Sequence, residues 1–190
     1  MITKENTTYL KTREDLRSWL FENGTTQSFL NVPISVKIKQ NTILYLDLVE
    51  ECLCFGWIDG VKKRVNEDTL VQRITPRKKN SNWTELNKER VRRLEKLGLM
   101  TEMGRVVLPD MKKDNFVVHN SILERLQKDE LTYQNFLAMP ELYRRIRIDT
   151  IQGYDGTKDK ELFNKRLERF IENTRNNKMY GDWNDNGRLG

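Results

Sequence analysis

Between Trp57 and Thr75 the chain carries the pattern that most restricts its fold. Trp57–Val65 and Thr69–Thr75 each read as a strand with β-branched residues in alternation, and the polar triplet Asn66-Glu67-Asp68 separates them. Alternation with period two, broken by a short polar turn, is the signature of a β-hairpin. Pro76 cannot continue the ladder, and beyond it the apolar residues recur at helical spacing. A switch of period from two to 3.6 predicts an α+β fold, with a small antiparallel sheet and helices in the N-terminal part and an all-helical C-terminal part.

The flanking segments fill in this outline. Thr12 is placed to cap a helix running to about Asn23, with Leu16, Trp19 and Leu20 on one face and Gly24 just past its end. Ser35–Lys39 alternates, with Val36 and Ile38 pointing one way as in a half-buried strand, and Pro33 marks its start. Tyr45, Leu48, Val49, Cys52 and Leu53 give a second helix that Gly56 ends. The loop Asn80-Ser81-Asn82 leads to a third helix from about Trp83 or Thr84 to Leu97, with Leu86, Val91, Leu94 and Leu97 as its apolar side and Lys88, Arg92, Arg93 and Lys96 facing outward; Gly98 terminates it. Thr101 is placed to cap a short helix that Pro109 interrupts. Helical segments follow at 121–128, 132–139, 140–152 and 157–175. The domain reading is a 1–110 α+β core, a 111–120 linker, a 121–175 helical region and a mobile 176–190 tail rich in Asn, Asp and Gly.

Charge is uneven. From Val61 to Leu97 twelve Lys and Arg stand against five Asp and Glu, a local +7, whereas the whole 190-residue chain carries +6. The basic character implied by a pI near 9.3 therefore belongs to this segment, and a polyanion is expected to bind there if anywhere. A mean hydropathy of -0.76 is offset by four Trp, six Tyr and seven Phe, enough aromatic mass for a core. No apolar run reaches the roughly 20 residues of a membrane span, and the polar stretch Met1–Arg13 is no signal peptide, so a cytoplasmic protein is expected.

Cys52 and Cys54, spaced C-x-C in an apolar run, read as buried reduced thiols, since neither a disulfide framework nor a zinc or redox motif has that spacing. His119 is the only histidine and has no second imidazole to share a metal or a proton relay. No metal, no cofactor and no catalytic residue is assigned.

Several separated motifs carry a resemblance. Leu53-Cys54-Phe55-Gly56-Trp57-Ile58-Asp59-Gly60, then Arg73-Ile74-Thr75-Pro76-Arg77-Lys78, then Ser81-Asn82-Trp83-Thr84 with Asn87, continuing to Gly98-Leu99-Met100-Thr101-Glu102-Met103-Gly104, closely resemble the YdeI/OmpD-associated (bacteriocin-protection) family. The resemblance covers about Thr12–Met111 and extends in outline to Asn135–Arg175, where Ile148 and Gly153-Tyr154 stand in place of the family's Trp and Ala-Lys pair. It implies an association with protection against antimicrobial peptides and with outer-membrane proteins, and no catalytic residues.

Read as chemistry, Trp57, Asp59, Lys63, Arg73, Arg77, Ser81, Trp83 and Asn87 form a candidate anion pocket. On a hairpin, Trp57, Asp59 and Lys63 would stand opposite Arg73 and Thr75, with Arg77 and Ser81 beside the start of the next helix, where arginine forks and free N–H groups favour a phosphate or carboxylate. Trp57 and Trp83 would add stacking surfaces. The structural alternative has the tryptophans filling core, Asp59 pairing with Arg73 or Arg77, and Ser81 or Thr84 capping the helix. Lys62, Arg64, Lys78, Lys79, Lys88, Arg92, Arg93 and Lys96 form the candidate nucleic-acid surface. The expectation is a binding module for an anionic ligand or nucleic acid; the alternatives are an adaptor that meets a protein partner through its helical C-terminal part, and an enzyme acting on a small anion held by Arg73 and Arg77.

Overall fold

The computed structural model describes residues 2–79 and 81–189; Asn80, read as the start of a loop, and the terminal Met1 and Gly190 lie outside the described residues. The chain divides into two compact units, 1–82 with 90–109, and 83–89 with 110–190. The division runs through the third helix, α3 (Glu85–Lys96), rather than through the linker expected at 111–120.

In the first unit, α1 (Arg13–Asn23) opens with a capping box in which Thr12 and Asp15 each accept the other's backbone N–H. Its buried residues, Leu16 and Leu20, are the i, i+4 pair of the sequence pattern. The strand that follows is β1 (Leu30–Ser35), buried almost throughout, and not Ser35–Lys39. Val36 and Ile38 lie outside it, 64% and 94% exposed. Strand β1 is a run of inward residues, so the alternation that a half-buried strand shows is missing and the period misleads. Pro33 sits inside it, where β2 (Ile43–Leu44) pairs only with Ile34 and Ser35 and leaves the rest of that flank without a strand. Thr8 N–H donates to the Asn31 carbonyl at 2.9 Å along that flank.

Helix α2 (Tyr45–Cys54) packs on the sheet against β1 and β3, and Gly56, at φ +71°, turns the chain from it into the hairpin. A positive φ comes to glycine at little cost, whereas most side chains are strained there. The hairpin is β3 (Trp57–Arg64) and β4 (Leu70–Pro76), and Asn66 Oδ1 accepts the N–H groups of Asp68 and Thr69 at 3.0 and 2.8 Å in its turn. Sheet order β2-β1-β4-β3 leaves β3 on the outside. Cys52 and Cys54 are free thiols buried on α2, and burial pushes Cys54 up to about 12. Thr101 caps α4 (Glu102–Arg105) and also donates its hydroxyl to the Cys54 carbonyl at 2.6 Å.

That close approach makes Gly104 irreplaceable. A Cβ there would stand 2.3 Å from the Cys54 carbonyl oxygen, backbone that cannot swing aside. Gly104→Ala is expected to cost about 1–3 kcal/mol, the range for overpacking a filled space, with denaturant unfolding of the variant as the check.

In the second unit, α5 (Asn120–Leu126), α6 (Glu130–Ala138), α7 (Glu141–Gln152) and α8 (Lys160–Arg175) surround a core of Ile122, Leu126, Phe136, Tyr143, Ile148, Leu167 and Phe170. Asp129 caps α6 by accepting the Thr132 N–H at 3.0 Å. Phe116 and Val118, from the presumed linker, pack on this core, and so do Tyr180 and Trp183 from the presumed mobile tail, while Leu189 is buried. Apolar burial outweighs the polar composition around those residues.

Candidate basic surface on the outer hairpin

The register of the hairpin decides which side chains meet. Asp59 pairs with Ile74 and Lys62 with Gln72, so β3 spends one residue more than β4 in between. This bulge leaves carbonyls without ladder partners, and the buried Gln72 amide serves them, donating to Gly60 O at 2.8 Å and Arg73 O at 3.1 Å. Asp59 and Lys62 share the α2 face of the sheet. Tyr45 of α2 donates its hydroxyl to Asp59 Oδ2 at 2.7 Å, and the Lys62 ammonium lies 5.3 Å from the Tyr45 ring centroid. Burial, then the bond to Asp59, pushes the Tyr45 phenol upward, so it stays a donor.

Arg73 falls on the other face. It pairs with Asn31 across the sheet, and its guanidinium lies 3.8 Å from the Phe29 ring centroid. The expected opposition of Asp59 and Arg73 therefore fails, because facing pairs in the ladder share a face and Asp59 faces Ile74. Trp57 is core: its indole N–H donates to Gly24 O at 3.2 Å and its ring meets Trp19 edge-on at 5.7 Å. Arg77 is buried too and organises its own loop. Its Nη1 donates to Asn82 O at 3.0 Å and Ser81 Oγ at 3.3 Å, and burial draws its pKa below the ordinary arginine value, with Asp59 opposing that shift. Lys63 is exposed and donates to Ile2 O at 3.3 Å. Trp83 and Asn87 belong to the second unit, where both are half-buried and the Asn87 N–H donates to Thr84 Oγ1 at 3.2 Å. The eight residues do not assemble as one pocket within either unit.

The candidate nucleic-acid surface divides more usefully. Lys62, Lys63, Arg64, Lys78 and Lys79 are exposed, and none has a carboxylate partner among the described residues. Lys96 is exposed on α3. By contrast Lys88 is tied to Glu85 at 2.8 Å, Arg93 to Glu50 at 2.9 Å, and Arg92 is half-buried. Leu97, expected on the apolar side of α3, is 53% exposed.

Two ion networks went unread in the sequence. Adjacent Glu50 and Glu51, each 1% exposed, sit on α2 inside the first unit; Arg13 reaches both at 2.7 Å, Arg93 holds Glu50, and Arg17 holds Glu51 at 2.9 Å. In the second unit Arg145 reaches Glu85 and Glu89 at 2.7 Å and Glu141 at 2.8 Å. The available signal was a pair of carboxylates interrupting the apolar run of α2, since buried acids require partners.

Catalytic arrangements are sparse. His119 Nδ1 and Ser121 Oγ both approach Asp155 Oδ2, at 3.0 and 2.7 Å. The Ser121 hydroxyl donates to the carboxylate and not to the imidazole, so these residues do not form a serine–histidine pair. Among the described residues, no group of three or more His, Cys, Asp or Glu could hold a metal ion, and no helix is long and apolar enough to cross a membrane.

Formal charge separates the units completely. The first holds eighteen Lys and Arg against twelve Asp and Glu, a net +6, and the second sixteen of each, a net of zero.

Two family models match. Residues 8–107 match a domain of unknown function (DUF8412), and residues 115–177 match the bacteriocin-protection, YdeI or OmpD-associated model. The YdeI/OmpD-associated resemblance thus lies on the helical second part, while the motifs from Leu53 to Gly104 fall within the other model. Among curated proteins and solved structures, none matches the chain.

Proposed function

We propose that this chain, which belongs to the DUF8412 family through residues 8–107 and matches the bacteriocin-protection, YdeI or OmpD-associated model at 115–177, is a non-enzymatic binding module whose outer hairpin engages a polyanion, nucleic acid first among them. One observation carries the reading. Lys62, Lys63 and Arg64 on the outer strand, with Lys78 and Lys79 just past the hairpin, are exposed cations without carboxylate partners among the described residues, on the unit that holds the whole net charge. Cations already paired inside the protein have little left to offer a phosphate backbone; these five remain available. Phosphate recognition of this kind reads charge and not sequence. A nucleic-acid partner also accords with the cytoplasmic location expected from the sequence.

Fluorescence anisotropy with labelled duplex DNA provides the test. Binding is expected at a Kd of about 10⁻⁴ to 10⁻⁶ M at physiological salt, with little preference among sequences and a log affinity that falls linearly with log salt. No binding at low salt would end the proposal.

A second reading, a protein adaptor, is favoured by the match at 115–177 and by the zero net charge of that unit, which removes long-range electrostatics as its means of attraction. Leu131 and Leu137 are exposed there on α6. An enzyme acting on a small anion held by Arg73 and Arg77 is disfavoured, because those side chains lie over Phe29 and inside the 78–82 loop respectively.

A further inference from the structure

A cavity of about 350 Å3 opens on the first unit at the turn end of the sheet, away from the residues named for the expected anion pocket. Three chain segments supply its cations: Lys11 from the stretch before α1, Lys39 from the loop after β1, and Arg64 from the end of β3. Asp68 is the one carboxylate in the lining, which leaves a formal +2 around a concave surface. None of the three cations has an ion-pair partner among the described residues. Tyr9 and Val36, 55% and 64% exposed, give the same cavity apolar walls.

The loop that presents Lys39 is shaped. Lys39 and Thr42 form an isolated antiparallel bridge, and Asn41 between them holds a left-handed φ of 54°, a conformation asparagine accepts more readily than most residues. Arg64 is steered as well, since its Nη1 donates to the Glu67 carbonyl at 2.7 Å. Like charges gathered around a concavity repel one another, and an occupant of opposite charge removes that cost. The volume sits at the small end of the usual range for ligand sites, and apolar walls with a few convergent polar groups are their usual lining.

We infer that this cavity binds a phosphate monoester with a small apolar body. The doubly ionised phosphate matches the +2 of the site, and the apolar body lies along Tyr9 and Val36. The site stands apart from the hairpin reading, with Arg64 alone common to both.

Phenyl phosphate and phenylacetate serve as probes in an NMR titration of the full chain at low ionic strength. At pH 7.5, phenyl phosphate is expected to give saturable shifts at the backbone amides of Ser35, Val36 and Thr42, and to bind at least tenfold more tightly than phenylacetate. Affinity is expected to fall as the pH drops through about 6, where the second phosphate proton returns. The exposed pair Lys11→Gln with Lys39→Gln is expected to weaken binding at least tenfold, whereas Lys62→Gln with Lys63→Gln leaves it unchanged. Equal binding of the two probes, unsaturated shifts, or an equal weakening by both double variants would overturn the inference, the last by showing general condensation of anions on a basic surface.

Discussion

Replacing Arg145 by alanine is expected to lower stability by about 3–5 kcal/mol, the range for removing one partner from a buried ion pair. Arg145 is only 3% exposed and satisfies carboxylates of Glu85, Glu89 and Glu141 at once, in the fork geometry a guanidinium allows. Its loss leaves the Glu85 carboxylate, also nearly buried, with Lys88 as its remaining cation. Arg145→Lys should recover part of the loss, because an ammonium keeps the charge but cannot span three acids. Burial alone would raise Glu85, yet hydrogen bonds from Lys88 and Arg145 outweigh it and hold the carboxyl below its ordinary value. A depressed carboxyl contributes stability above its unfolded pKa and loses it as the pH falls through the folded one. Chemical denaturation of the wild type and Arg145→Ala should therefore differ most near neutral pH and converge in acid. A constant gap down to strongly acidic pH would contradict this account of Arg145.

The second large effect lies in the first unit. Arg13→Ala removes the cation shared by Glu50 and Glu51, but Arg93 and Arg17 stay with one acid each. The expected loss is about 2–3 kcal/mol, somewhat below the range for a fully abandoned buried partner. Arg93→Ala should also destabilise the fold, so it is a poor probe of nucleic-acid binding although it lies in the basic segment. Denaturation of Arg13→Ala within about 0.5 kcal/mol of the wild type, the usual span for exposed positions, would mean that the network is not coupled to folding.

Local patterns carried much of this fold. Thr12 and Thr101 as caps, the Asn66 turn and the hairpin arms depend on residues a few positions apart, and each lies within a residue or two of its expected place. What the sequence concealed depends on register and on long separations. One bulge residue in β3 sets the face on which Asp59 stands, and no alternation rule locates a bulge. Strand β1 escapes the period-two pattern because it is inward-facing along nearly its whole length. Arg13 meets Glu50 and Glu51 across nearly forty positions, so twelve basic residues counted along a segment could not be sorted into paired and available ones. Exposure was legible only in part: the hairpin cations are exposed as the sequence suggests, while Trp57 and Arg77 are buried.

That sorting is what the central claim depends on, and the salt dependence of DNA binding measures it directly. The exposed triple substitution Lys62→Gln, Lys63→Gln, Arg64→Gln removes three available cations, none of which is held by a carboxylate among the described residues. Compared with the wild type in parallel titrations, the variant is predicted to bind more weakly to every duplex. Its log–log salt slope is predicted to be flatter by up to about three units, near 0.9 for each phosphate that is no longer neutralised. A variant of unchanged fold whose affinity and slope equal those of the wild type would place any nucleic-acid binding elsewhere and contradict the account.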